Sequence, residues 1–213
     1  MKKILLTLLS VATLSSGVAT LAHAANSTAF AAITSNYVFR GFTQTNDDPA
    51  VQGGYNIQQS KDDKGWYAGV FASTFSKGIE VDGFGGWKGS LGKQSSYGYD
   101  VGAIVYQYTE STFTDVTEFY AGISYETAYA KLYIGNGSGI KSYNYIDLGA
   151  AFIVMEDIDL NVHFGNNTET SINDVSAALS TQVKDFDFSL GASFEDATDE
   201  FEFFVTVGKE FDL

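Results

Sequence analysis

The chain carries little with which to do covalent chemistry. Beyond residue 24 its only histidine is His163, and it has no cysteine. A hydrolytic triad needs a nucleophile, a base and an orienting acid. His163 shares alternate positions with Asp159 and Asn161, but no spacing marks one of the many serines as a nucleophile. A lone histidine makes no metal site, because a cation held by side chains needs several convergent ligands. Neither Asn46-Asp47-Asp48 nor Glu195-Asp196 has the spacing of a calcium loop. Asn136-Gly137-Ser138-Gly139 is no phosphate cradle, since no lysine follows in register and no helix begins there. These patterns argue against an enzyme and imply no metal or cofactor.

What the sequence offers instead is a periodic set of charges. Asp82, Asp100, Glu118, Asp147, Asp159 and Asp187, with Lys88 and Lys131, fall on the polar positions of alternating stretches. Around a water-filled interior they would form an acidic pore lining, favouring cations or neutral solutes over anions. In the bland alternative they are the wet side of ordinary strands. A second set, Asp47, Asp48, Glu169, Glu195, Asp196, Asp199 and Glu200, lies in expected loops. There it keeps loops solvated or binds divalent ions that bridge lipopolysaccharide. Arg40 is the only arginine. We expect it to pair with a carboxylate of the wall or of a neighbouring loop and so to pin the connection 39–49. The alternative is an arginine that caps a turn.

The elements that position these residues are strands. Twenty-two glycines argue against long helices, because each costs about 1 kcal/mol relative to alanine in a helix. Thirteen tyrosines and 17 phenylalanines favour strands. Period-2 alternation recurs throughout. Phe186, Phe188, Leu190, Ala192 and Phe194 alternate with Asp187, Ser189, Gly191, Ser193 and Glu195. Phe119, Ala121, Ile123 and Tyr125 alternate with Glu118, Tyr120, Gly122 and Ser124. The pattern predicts twelve strands, at 28–38, 50–60, 65–75, 79–90, 97–108, 116–126, 129–136, 143–154, 157–165, 174–183, 186–194 and 201–212. Short turns alternate with longer connections, except at 76–78 and around 92–96.

Residues 1–24 read as a cleaved signal peptide. Lys2 and Lys3 precede the apolar run Ile4 to Leu14, and Ala22-His23-Ala24 is a small-x-small cleavage site. Without Lys2 and Lys3 the balance is 10 basic against 26 acidic residues, a net charge of 10 − 26 = −16. That excludes nucleic acid as a natural partner, since phosphates call for a basic patch. No cysteine is available for a lipid anchor or a disulfide. Residues 25–213 show no other stretch resembling a spanning helix, so a membrane reading requires a closed barrel.

An even number of strands, with tight turns at one end and longer loops at the other, is the outer-membrane pattern. We therefore expect an all-β, antiparallel twelve-stranded transmembrane β-barrel, an up-and-down meander. Its termini would be periplasmic and its long connections, 39–49 included, would face outward. The last strand fits. Phe201, Phe203, Val205, Val207, Phe211 and Leu213 share one face, as in the signal read by outer-membrane assembly machinery, with Lys209 the exception. Trp66, Trp87, Tyr97, Tyr99, Tyr108 and Tyr125 would form the interfacial girdle. The competing fold is a soluble β-sandwich or lipocalin-like barrel, with the apolar face inside.

The stretch Ser35, Asn36, Tyr37, Phe39, Arg40, Gly41, Thr43, Gln44 and Thr45, then Pro49, Ala50, Val51, Gln52 and Gly53, resembles the N-terminal signature of the TorF-type porin family of proteobacteria. Gly65-x-Tyr67-Ala68-Gly69, Tyr99-Asp100-Val101-Gly102 and Glu118-x-Tyr120 also fit it. The resemblance implies a porin of the cell outer membrane, with no established solute or catalytic residue. The expected function is passive diffusion of small solutes or ions through a narrow acidic lumen. The expected partners are outer-membrane lipid and lipopolysaccharide, the assembly machinery and the permeating solutes. The alternatives are a closed barrel with a structural or surface-interaction role and, more remotely, a lipid-modifying barrel enzyme.

Overall fold

The computed structural model describes residues 26–61, 64–92 and 96–213. The expected signal peptide and the Asp62-Asp63 part of the first tight turn lie outside the described residues. The strands are β1 (Asn26–Thr34), β2 (Val38–Phe39), β3 (Phe42–Thr43), β4 (Ala50–Lys61), β5 (Lys64–Phe75), β6 (Gly78–Ser90) and β7 (Tyr97–Tyr108). They continue as β8 (Val116–Tyr125), β9 (Ala128–Gly137), β10 (Tyr143–Met155), β11 (Ile158–Asn167), β12 (Ile172–Val183), β13 (Phe186–Glu195) and β14 (Glu200–Asp212).

Twelve of these strands form one closed antiparallel barrel. Each pairs with its neighbour in the chain, and β1 closes the ring by pairing with both β4 and β14. Closure leaves no open edge, so every wall strand has a partner on both sides. The strand ends lie within two residues of expectation wherever the hydrophobic alternation runs to a turn. The first strand is the exception. It stops at Thr34 rather than 38, and the alternation that continues through Phe39 belongs to a small separate hairpin, β2–β3. Arg40 and Gly41, at its tip, have φ of 49° and 89°. Positive φ at both central residues marks a type I′ hairpin turn, whose twist suits two antiparallel strands.

The connections 35–49, 76–77, 109–115, 138–142, 168–171 and 196–199 share one end of the barrel. The turns 126–127, 156–157 and 184–185 share the other with the end of β6, the start of β7, the start of β1 and the end of β14.

The two faces of the wall are opposite in character. Glu118 is 0 % exposed and its neighbour Phe119 is 63 % exposed. Asp82, Asp100, Asp147, Ser189, Thr206 and the rings of Tyr106, Tyr120 and Tyr133 point inward; Ile33, Val51, Val101, Ile123, Leu148, Leu190 and Phe203 point outward. A soluble barrel would invert this arrangement, because its apolar side chains must leave water. No helix among the described residues is long and apolar enough to cross a membrane; β-strands need none.

Trp66, Trp87, Tyr97 and Tyr125 lie outside near the turn end. Trp66 pairs with Trp87 and Tyr97 with Tyr125 across adjacent strands. Tyr99 alternates onto the same outer face. Tyr108 does not belong to this girdle. It shares the inward parity of Asp100 and Tyr106 and packs its ring on Phe75 and Phe113. Lys209 lies between the rings of Phe186 and Phe211, with Nζ 3.3 Å from Asp185 in the neighbouring turn. The ammonium is thus held at the wet edge of the apolar band.

Candidate functional site: the lumen and its inward loop

Of the two courses open to the connection 35–49, facing outward or filling a narrow twelve-stranded bore, it takes the second and folds inward. The change begins at Ser35, whose N–H still donates to Val205 O at 2.9 Å. At the next residue the chain turns inward, and Asn36 organises the turn. Its amide donates to Asp47 Oδ1 and Glu202 Oε2, each at 2.8 Å. Its Oδ1 accepts from Thr43 Oγ1 at 2.7 Å and Thr45 Oγ1 at 3.1 Å. A buried amide with both ends satisfied fixes the loop base against β14.

From there the hairpin crosses to the far wall. Tyr37 Oη donates to Glu80 Oε1 at 2.6 Å, and its ring packs on Phe71. Phe39 packs on Tyr106. Arg40 grips Glu118 with both ends of its guanidinium, Nη1 to Oε1 at 2.7 Å and Nη2 to Oε2 at 3.0 Å. Its Cζ lies 3.8 Å from the Tyr145 ring centroid and 5.3 Å from that of Tyr133. Glu118 also accepts from Tyr106 Oη at 2.9 Å and Tyr143 Oη at 2.7 Å. Fork geometry, charge and cation–π contact combine at one buried point. Strands β8–β10 lie opposite β1 in the ring, so the loop spans the bore.

Gly41 completes the docking on the other side. A Cβ there would lie 2.5 Å from Glu195 Cβ and 2.9 Å from Asp174 Cβ. Its φ of 89° also disfavours any side chain. Gly41→Ala is expected to lift the hairpin tip off β12 and β13 and to cost about 1–2 kcal/mol from the backbone conformation alone. Thermal unfolding and limited proteolysis within 35–49 check this. An unchanged cleavage rate and midpoint would mean that the tip is not seated tightly.

Deeper in the lumen the expected charges form separate groups. Lys131 Nζ lies 2.8 Å from Asp100 Oδ2, and Tyr67 Oη donates to Asp100 Oδ1 at 2.6 Å. The hydroxyls of Tyr67 and Tyr120 touch. Lys88 Nζ is 5.1 Å from the Tyr67 ring centroid. Asp147 accepts from Tyr129 Oη at 3.0 Å. His163 sits between two carboxylates, with Nε2 2.8 Å from Asp174 Oδ1 and Nδ1 3.0 Å from Asp147 Oδ1. The second contact is close enough for ion pairing but too poorly aligned for a hydrogen bond. Asp187 accepts from Gln182 Nε2 at 3.0 Å. Asp159 is half-buried near the turn end and makes no ion pair among the described residues. Asp82 is buried with Oδ1 unpartnered.

All eight expected lining positions therefore face the interior, but they do not form one ring. Five join ion-pair or cation–π groups, and Asp82, Asp159 and Asp187 stay apart from them. Glu80, Asp174, Glu195 and Glu202 are further inward carboxylates that the expected set omits. Glu80, Asp174 and Glu202 have the right parity. Glu195 reads as a loop acid only because it ends β13; it is buried and accepts the N–H groups of Ala197 and Thr198. Tyr67, Tyr106, Tyr120, Tyr133, Tyr143 and Tyr145 line the lumen over β5–β10, hidden in the sequence because tyrosine serves either face. Strands β12–β14 present Ser176, Ala178, Ser180, Ser189, Gly191 and Thr206, with the buried ring of Phe204 lying over Gly191, so the interior is bulkier on the tyrosine side than on this one. In the outer connections, two hydrogen bonds from Asn173 hold the Asp196 carboxyl below its usual pKa.

The profile of a family described as bacterial proteins of unknown function, Gcw_chp, matches residues 19–209. The chain belongs to the Gcw_chp family. No curated protein matches it in sequence. Among solved structures, this Gcw_chp member is similar to a chain from a study of the in-meso crystallization of membrane proteins. That match has a TM-score of 0.63 and 5% identity, covering 88% of this chain and 84% of that one. It is also similar to the KdgM porin, with a TM-score of 0.57 and 7% identity over 88% of this chain and 99% of that one. The KdgM porin in complex with disordered oligogalacturonate gives 0.56 and 8%, over 88% and 99%. At such identities the likeness is one of fold: a porin-like twelve-stranded barrel.

Proposed function

We propose that this Gcw_chp protein is an outer-membrane diffusion channel for small cations or neutral solutes, of the TorF-type porin class, narrowed by the inward connection 35–49. The observation that carries this reading is the inverted wall, with an apolar belt outside and carboxylates, hydroxyls and ion pairs inside. Such a wall suits lipid around it and water within it. The start of β1 and the end of β14 lie at the short-turn end, the arrangement of a barrel inserted from the periplasm with its assembly machinery. Lipopolysaccharide would then surround the end that carries 196–199.

Permeation requires no chemistry. Glu80, Asp82, Asp100, Glu118, Asp147, Asp174, Asp187, Glu195 and Glu202 outnumber Arg40, Lys88, Lys131 and His163. This surplus sets a field that attracts cations. Below the hairpin tip, which seats on Asp174 and Glu195, solutes would pass along the shorter residues of β12 and β13, because the tyrosine side is filled. The KdgM porin was solved with oligogalacturonate, a polyanion; the carboxylate surplus here argues for a different solute class. In planar lipid bilayers under a salt gradient, the reversal potential is expected to show cation permeability exceeding that of chloride. An anion preference would overturn the acidic-lumen reading, and no current steps at any voltage would overturn the channel itself.

A second reading has its own observation. The hairpin spans the bore, and Tyr106, Tyr120, Tyr133 and Tyr145 fill it from the wall. A barrel held in that state is a closed structural or surface-interaction protein. The bilayer experiment separates the two. A lipid-modifying enzyme is disfavoured, because His163 is enclosed by Asp147, Asp174 and Tyr145 on the face away from lipid.

A further inference from the structure

We infer that the corner formed by Asp82 and Glu80 on β6 is a binding station for a small organic cation bearing N–H donors, a guanidinium or a primary ammonium. The inference deepens the channel reading and rests on the same lumen. Asp82 is only 2 % exposed, no salt bridge reaches it among the described residues, and its Oδ1 has no hydrogen-bond partner. An orphaned carboxylate oxygen in that setting carries its full desolvation cost unless a donor arrives. Glu80, two residues along the same face, is also buried, and Tyr37 Oη donates to it.

The surroundings are aromatic. Asp82 stands in register between Phe71 on β5 and Tyr106 on β7. Phe84 follows it on the inward face, and Tyr37 reaches over from the loop to pack on Phe71. Carboxylates walled by aromatic rings form the environment that holds organic cations, through hydrogen bonds at the edge and the ring quadrupole at the face.

The protein contains an occupied example of the same chemistry two strands away. Arg40 places its guanidinium on the Glu118 carboxylate and over the Tyr145 ring. Tyr106 links the two places, since it donates to Glu118 and lies in register with Asp82. Glu118 has a tethered cation; Asp82 has none. A diffusing cation of the same type would bring Asp82 the donor its Oδ1 lacks, beside the hairpin that narrows the bore.

The test uses the full barrel and methylguanidinium chloride, with tetramethylammonium chloride at equal ionic strength as the control cation lacking N–H donors. In bilayers, methylguanidinium is expected to block potassium current with a midpoint at least tenfold lower than tetramethylammonium. Asp82→Asn is expected to weaken that block at least tenfold, measured relative to the variant's own current. Equal block by the two cations, or block unchanged in Asp82→Asn, overturns the inference while leaving the channel intact. Thermal unfolding in detergent decides the site independently of conduction. A midpoint raised by methylguanidinium over tetramethylammonium in the wild-type protein supports the station, and no difference overturns it. A barrel that passes no current yet shows this shift refutes the channel and keeps the site.

Discussion

Arg40→Ala is expected to free the connection 35–49 and to destabilise the barrel. Removing the guanidinium leaves Glu118, wholly buried, without its counter-ion. Breaking one side of a buried pair costs roughly 3–5 kcal/mol. The donors Tyr106 and Tyr143 remain on Glu118 and place the loss toward the lower figure. The lost contacts over Tyr145 and Tyr133 add to it. Three measurements should move together: a lower unfolding midpoint, new protease cleavage within 35–49 and larger single-channel steps. If all three stay at wild-type values, the Arg40–Glu118 pair does not hold the loop. The double substitution of Arg40 and Glu118 by methionine separates charge from anchoring. It should regain stability, since no charge is stranded, but it should keep the loop sensitive to protease.

Leu190→Arg should produce the second large effect. Leu190 is at the middle of β13 and 57 % exposed on the apolar face. A cation facing lipid at mid-membrane costs about 2–4 kcal/mol, falling to about 0–1 near the interfaces. Less heat-modifiable barrel in the outer-membrane fraction and a lower unfolding midpoint are expected. Ala178→Ser, on the inward face of the adjoining β12, should behave as wild type. In a soluble barrel the order reverses, because Leu190→Arg would replace an exposed leucine by a solvated charge. An arginine variant recovered in normal amount, with unchanged stability, would therefore refute the membrane reading.

The wall was legible in the sequence for a physical reason. A strand turns its side chains to opposite faces with period 2, so Phe186 to Glu195 declares its two faces without reference to any other strand. An apolar outer face and a polar inner face make that signal strong on nearly every strand. Asp82, Asp100, Glu118, Asp147 and Asp187 were placed inside by parity alone, with Lys88 and Lys131. Parity was less informative for Tyr108, because a tyrosine satisfies an interface as well as a lumen.

Loop 35–49 shows where local pattern ends. Ser35 to Phe39 alternates like a strand, so the first strand reads as too long and the rest as an external loop. The chain leaves the wall because Asn36, Tyr37 and Arg40 find partners on β14, β6 and β8. The Arg40–Glu118 pair joins residues 78 positions apart. Local alternation cannot specify that pairing.

The sequence by itself determined the twelve strands, which face of each is apolar, and the surplus of inward carboxylates. Each follows from nearest-neighbour periodicity and from the opposite character of the two faces of each strand. Only the tertiary structure decided that the first connection enters the bore, that Gly41 lets it seat against Asp174 and Glu195, and that Glu118 is neutralised while Asp82 is not. Those outcomes depend on which side chains barrel closure brings within about 3 Å across the lumen, the range of a hydrogen bond. Period-2 patterning holds no record of distances across the ring.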